Sequence, residues 1–83
     1  MTESTTIHAR VDVTDQVCPL SFVKAKLALE DLEIGQHLEV RLLGGEARHN
    51  VPRSFEGEGQ RVFNLHPEAE DESIWRLTVE RVR

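Results

Sequence analysis

Eighty-three residues allow one domain with a single modest core, and 39% hydrophobic against 30% charged residues is the balance of a globular chain, not a disordered one. Ten Lys/Arg against fifteen Asp/Glu leave a net charge of -5, which argues against a nucleic-acid binder because phosphate contacts need a basic surface. No apolar run approaches the roughly 20 residues of a membrane-crossing helix, and the first residues carry neither the basic nor the apolar segment of a secretory signal. The expectation is a cytoplasmic, monomeric single domain over 1–83, with 1–5 flexible.

Residues 7–13 alternate, with Ile7, Ala9, Val11 and Val13 on one face, which predicts a half-buried strand. The polar segment Thr14-Asp15-Gln16 leads to Val17-Cys18-Pro19. Residues 19–32 take helical spacing, and Leu20, Val23 and Leu27 are the stripe expected to be buried. Lys24, Lys26, Glu30 and Asp31 are expected to face water. Gly35 suits a left-handed turn after the helix.

Residues 37–43 alternate again, with Leu38, Val40 and Leu42 inward. A helix between two strands is the βαβ pattern, so these strands are expected to be parallel with a right-handed crossover. Gly44-Gly45 ends the second strand. Within 46–60, Val51-Pro52-Arg53-Ser54-Phe55 opens a short second helix with Pro52 in its first turn. Residues 61–66 and 74–82 read as strands of a hairpin, joined through Pro67 and the acidic run Glu68, Glu70, Asp71 and Glu72, which reads as a solvated turn. The result is an α+β two-layer sandwich in the order β-α-β-α-β-β, with a mixed four-stranded sheet and two helices on one face.

Cys18 is the single cysteine, so no disulfide within the chain can staple the fold and no second thiol can resolve a redox intermediate. Proline at the first helical position forfeits no hydrogen bond and has its φ preset. Pro19 therefore predicts Cys18 at or beside the helix N-cap. Unpaired first-turn amides and the positive end of the helix dipole favour a thiolate there, and the thiolate is the form that attacks a persulfide or disulfide sulfur. The same amides would hold the persulfide anion formed. Of the four histidines, His8 and His37 lie on strands, His49 in the middle loop and His66 at the end of the third strand. Packing or solvated roles come first for each, with His49 the one candidate to approach Cys18 in space. No His/Cys spacing suggests a metal site and no phosphate loop follows a strand, so neither metal nor cofactor is expected.

Over nearly its whole length the chain resembles the TusA-like (SirA-like) sulfur carrier family. Asp12 stands six residues before Cys18, Cys18-Pro19 matches the Cys-Pro box, and Lys24 and Leu29 fall in the helix behind it. Gly35 sits in the turn before the second strand. Val51-Pro52 resembles the start of the family's second helix, and Trp75-Arg76-Leu77 its last strand. Ser21 replaces the second proline of the box and Asp15 the glycine three residues before Cys18.

The resemblance implies the same β-α-β-α-β-β sandwich. It also implies a cysteine that takes sulfur as a persulfide from a cysteine desulfurase or rhodanese-like donor and passes it to an acceptor protein. Recipients in the family serve tRNA thiolation, cofactor synthesis or sulfur metabolism. Cys18 is the expected acceptor, supported at the helix start by Pro19, Asp12, Asp15 and Ser21. Lys24, Lys26 and Arg53 are candidate docking residues, with a solvated-surface role as the plainer reading of each. The alternative is a diverged regulatory or interaction module on the same scaffold.

Overall fold

The computed structural model describes residues 6–16 and 20–83. The expected flexibility of 1–5 and the expected placing of Cys18 and Pro19 at the helix start lie outside those residues. The elements are β1 (Ala9–Asp12), α1 (Leu20–Glu30), β2 (His37–Leu43), α2 (Glu46–Gly57), β3 (Arg61–Pro67) and β4 (Ile74–Glu80), the order that the hydrophobic patterning predicts.

The four strands form one mixed sheet in the order β1-β2-β4-β3. β1 runs parallel to β2, with Ala9 beside Leu38 and Val11 beside Val40, as a crossover through a helix requires. β4 pairs antiparallel with both β2 and β3. Alternation decides which face is covered. Leu38, Val40, Leu42, Leu77 and Val79 are buried and join Ala25, Leu29, Val51 and Phe55 of the helices in one core. The opposite parity carries Arg10, Asp12, Glu39, Arg41 and Arg76, and that face is hydrophilic. Both helices thus lie on one side of the sheet.

Between Phe63 and His66 the β3–β4 register shifts, with three steps along β3 matching two along β4. The bulge includes Asn64, at φ 58°, a left-handed conformation that Asn tolerates better than most residues.

Two expectations are corrected. The helix stripe expected inside is outside: Leu20, Val23 and Leu27 are 55%, 44% and 59% exposed. The buried residues of α1 are Ser21, Ala25 and Leu29, with Phe22, Ala28 and Leu32 packed beside the core. Apolar residues lie all round this helix, so spacing alone does not choose a face. Packing chooses it. Small Ser21 and Ala25 let the helix approach the sheet, and Phe22 meets Phe55 of α2 edge-on.

The second correction concerns α2, which begins at Glu46, so that Pro52 lies inside the helix and not in its first turn. Gly45, at φ 76°, starts it without a side-chain cap. Proline in a helix interior forgoes one backbone bond, and burial of Val51 and Phe55 on the core side holds the helix through it.

Candidate functional site

In chain order the Cys18 segment joins the carboxyl end of β1 to the first turn of α1. Val17, Cys18 and Pro19 lie outside the described residues; the structure on either side of them is defined.

Before them, the Val13 amide donates to the Arg41 carbonyl at 2.8 Å, prolonging the contact between β1 and β2, and the Gln16 amide closes a turn onto the Val13 carbonyl at 3.0 Å. Asp12 fixes the exit from β1. Its carboxylate accepts from the Thr14 hydroxyl at 2.6 Å and the Thr14 amide at 2.8 Å, and from Arg41 at 2.9 Å. These bonds, the Thr14 hydroxyl first, lower its pKa from 3.8 to about 2.

Asp15 is exposed, and its carboxylate lies 3.7 Å from Lys24 Nζ. The pairing draws that charge toward the solvent side of α1. A glycine's left-handed backbone is not used at this position, because Asn64 is the sole non-glycine residue of positive φ among the described residues.

On the far side α1 opens with no acidic residue in its first turn, which leaves the positive end of its dipole without an opposing carboxylate on the helix itself. Ser21 is wholly buried there, and its hydroxyl has no hydrogen-bond partner among the described residues. Lys26 pairs with Glu58 of α2 at 3.0 Å, and Arg53 is exposed on α2. Of the candidate docking cations, two therefore hold carboxylates of this same chain.

The histidines stand apart in role. His49 lies in α2, not in a loop, and takes a 3.4 Å contact from Arg48 Nε. His8, just ahead of β1, and His37 meet at the amino ends of β1 and β2. There the His37 amide donates to His8 Nδ1 at 3.0 Å. That is the opposite end of the sheet from the β1–α1 connection. His66 is on β3, on the hydrophilic face opposite Arg76. Among the described residues, no group of three or more His, Cys, Asp or Glu is placed to hold a metal ion.

Sequence reasoning missed the charge network on the open sheet face. Arg41 and Arg76 sit directly across from each other on β2 and β4, a repulsive arrangement if left unpaired. Glu68, expected in a solvated turn, accepts from both, at 2.7 Å from Arg41 Nε and 2.9 Å from Arg76 Nε. The Arg41 bond first, then that of Arg76, lowers the Glu68 pKa from 4.5 to about 2. Asp12 extends the chain of charges on one side of Arg41, and Glu39 links Arg76 to Arg10 on the other. The exit of β1 is thereby tied to the β3–β4 turn. The available signal was strand parity, which puts Arg41 and Arg76 on one face; only the register makes them neighbours.

A two-layer domain with a mixed four-stranded sheet, whose one thiol falls in the chain between a parallel strand and the first helix, is a recognisable class of small protein. The chain belongs to the TusA family: the family model, Sulfurtransferase TusA, matches residues 9–81. It is 35% identical to a candidate sulfur carrier protein of Archaeoglobus fulgidus over 95% of this chain and 90% of that one. It is also 35% identical to a candidate sulfur carrier of Methanocaldococcus jannaschii over 87% and 92%. Among solved structures, a SirA-like protein of Desulfitobacterium hafniense superposes with a TM-score of 0.74 at 25% identity, over 90% of this chain and 99% of that one. These matches support a sulfur-carrier role and sulfur-trafficking partners. Among the described residues, no helix is long and apolar enough to cross a membrane.

Proposed function

We propose that this chain is a persulfide carrier in which Cys18 accepts a sulfane sulfur from a donor protein and delivers it to an acceptor protein. The observation that carries the reading is the family match across 9–81 together with the chain's one thiol standing immediately ahead of α1. In loading, the Cys18 thiolate attacks the terminal sulfur of the donor's persulfide. A new S–S bond forms on Cys18 as the donor's S–S bond breaks, and the bonding pair leaves on the donor's sulfur as a thiolate. The proton count is unchanged, no external oxidant or reductant is consumed, and delivery reverses the roles.

The remaining site residues support that exchange. Proline as a residue type favours a helix start at this point in the chain, and first-turn amides stabilise the thiolate and the persulfide anion. Asp12, through Thr14 and Arg41, holds the chain entering the Cys18 segment. Lys24 draws the Asp15 carboxylate to itself, which limits the opposition of that charge to a thiolate. Ser21 offers a hydroxyl in the same turn with no partner among the described residues. Arg53, with Lys24 and Lys26 when their own carboxylates release them, meets partner acids.

Incubation with a cysteine desulfurase and cysteine, or with inorganic polysulfide, followed by intact mass, tests the reading. Wild type gains one sulfur and Cys18→Ala gains none. Failure to gain sulfur from every donor overturns it. Alkylation rate against pH distinguishes a carrier from an inert interaction module: the carrier's thiol reacts with a midpoint below the ordinary value of about 8.5.

A further inference from the structure

From the way one guanidinium is shared between two carboxylates we infer that Glu68 is a positioning residue for sulfur transfer at Cys18. It holds Arg41 so that Asp12 keeps the turn leading into the Cys18 segment. The role rests on the carrier reading and adds to it a residue from the turn after β3, the strand at the opposite rim of the sheet from β1.

Asp12 divides its two oxygens. Oδ1 accepts from the Thr14 hydroxyl at 2.6 Å and the Thr14 amide at 2.8 Å, while Oδ2 accepts from Arg41 Nη1 at 2.9 Å. The Oδ1 bonds form the side-chain-to-backbone turn by which the chain leaves β1. Arg41 is divided in the same way. One edge of its guanidinium, Nε and Nη2, lies on Glu68 at 2.7 and 3.4 Å, and Nη1 goes to Asp12. A guanidinium with one carboxylate to itself tends to take both oxygens through parallel bonds. Arg41 and Asp12 are register partners on β2 and β1. Without Glu68, therefore, the Arg41 fork is free to close on Asp12 and compete with Thr14 for Oδ1.

Glu68 is itself firmly held. Its side chain is 13% exposed, against 39% for Arg41 and 52% for Asp12. Its amide donates to the Ile74 carbonyl at 2.8 Å, and its Oε2 accepts from Arg76 Nε at 2.9 Å as well as from Arg41. Arg41 in turn grips the exit of β1 twice, because its carbonyl also accepts the Val13 amide at 2.8 Å. The backbone half of that grip belongs to the sheet ladder; Glu68 sets the side-chain half. A reacting group misplaced by a small distance loses much of its rate, so the aim of the chain entering the Cys18 segment matters to transfer.

The test compares wild type with Glu68→Gln, with Arg41→Lys, which conserves every charge but lacks the fork, and with Glu80→Gln. The last removes the Arg61 ion pair at the other end of the same sheet face and serves as control. Sulfur loading from inorganic polysulfide, and from a cysteine desulfurase with cysteine, is read by intact mass over time. Alkylation of Cys18 against pH reads the thiol, and hydrogen exchange of the Thr14 amide reads the turn. Glu68→Gln and Arg41→Lys are expected to load about tenfold more slowly from both donors. Their Thr14 amide should exchange faster and their alkylation midpoint should rise, with Glu80→Gln like wild type throughout.

Charge alone predicts another pattern, since loss of a nearby carboxylate favours a thiolate. A lowered midpoint in Glu68→Gln with an unchanged one in Arg41→Lys overturns the positioning role. So do variants that load like wild type, or a loss as large in Glu80→Gln. Glu68→Gln combined with Asp12→Asn is expected to load no more slowly than Asp12→Asn alone; losses that multiply overturn the path through Asp12. Each of these failures leaves the carrier reading standing. A wild type that gains sulfur from neither donor removes that reading and the role of Glu68 together.

Discussion

The ring of Phe22 in α1 meets that of Phe55 in α2 edge-on, with centroids 4.9 Å apart and planes at 73°. Phe55 is fully buried among the largest side chains of the core and Phe22 packs beside it, so this pair sets both the separation of the helices and the rotation of α1 about its axis. Replacing Phe55 with alanine removes the ring and leaves a cavity, at a cost of about 3–5 kcal/mol. Domains of this kind have about 5–15 kcal/mol in total. Phe55→Ala is therefore expected to lose most of its cooperative urea transition, while Phe22→Leu, which keeps most of the volume at a partly exposed site, retains it.

The rotation of α1 makes a second prediction by contrast. Leu27 and Leu29 are two residues apart on one helix, one exposed and one in the core. Leu29→Ala is expected to cost about 2–5 kcal/mol, and Leu27→Gln to change stability by no more than about 0.5 kcal/mol. Denaturant midpoints at constant slope measure both. Equal costs would mean that the helix faces the sheet otherwise than described.

Ser21 supplies the third. Among the described residues the buried Ser21 hydroxyl has no partner to offset the water it has lost, and alanine is the better helix former. Ser21→Ala is expected to stabilise the protein by about 1 kcal/mol. The alkylation profile of Cys18 in the same variant shows whether that hydroxyl also serves the thiol: an unchanged midpoint would remove Ser21 from the site.

Acid should loosen the open sheet face. Asp12 and Glu68 both have folded-state pKa values lowered to about 2, from 3.8 and 4.5. A lowered carboxylate pKa contributes stability that is complete above the unfolded-state value and is lost as pH falls through the folded one. Unfolding free energy should accordingly be flat with respect to these two groups above pH 5 and decline from there toward pH 2. Glu68→Gln should flatten part of that decline while lowering stability at pH 7, because Arg41 and Arg76 then face each other without the shared carboxylate. An unchanged acid limb in the variant would show that the ion network does not carry the linkage.

The strands were legible because their signal is strict. In His37–Leu43 every second residue is Leu, Val or Leu, and all three are buried. Helix rotation was not legible, since α1 has apolar residues on every side and its orientation depends on Phe55, a residue 33 places on from Phe22. The start of α2 was misread for a related reason. Proline marks a first turn well in isolation, but burial of Val51 and Phe55 carries the helix across Pro52 and back to Glu46. At the candidate site, the order strand, thiol, helix could be read directly along the chain. The partners of Asp12 and Glu68 could not, because Arg41 and Arg76 come within reach only once β2 and β4 are in register.

The bulge at Asn64 has a consequence for crowding in solution. A sheet of four strands leaves two rims where a foreign strand can add and start a growing stack. Here one rim is β1, four residues long, and the other is β3, whose ladder is broken by the extra residue. Neither offers a long flat template. Apolar side chains thus stay exposed on a helix, while both strand rims are poor templates for recruitment into fibres.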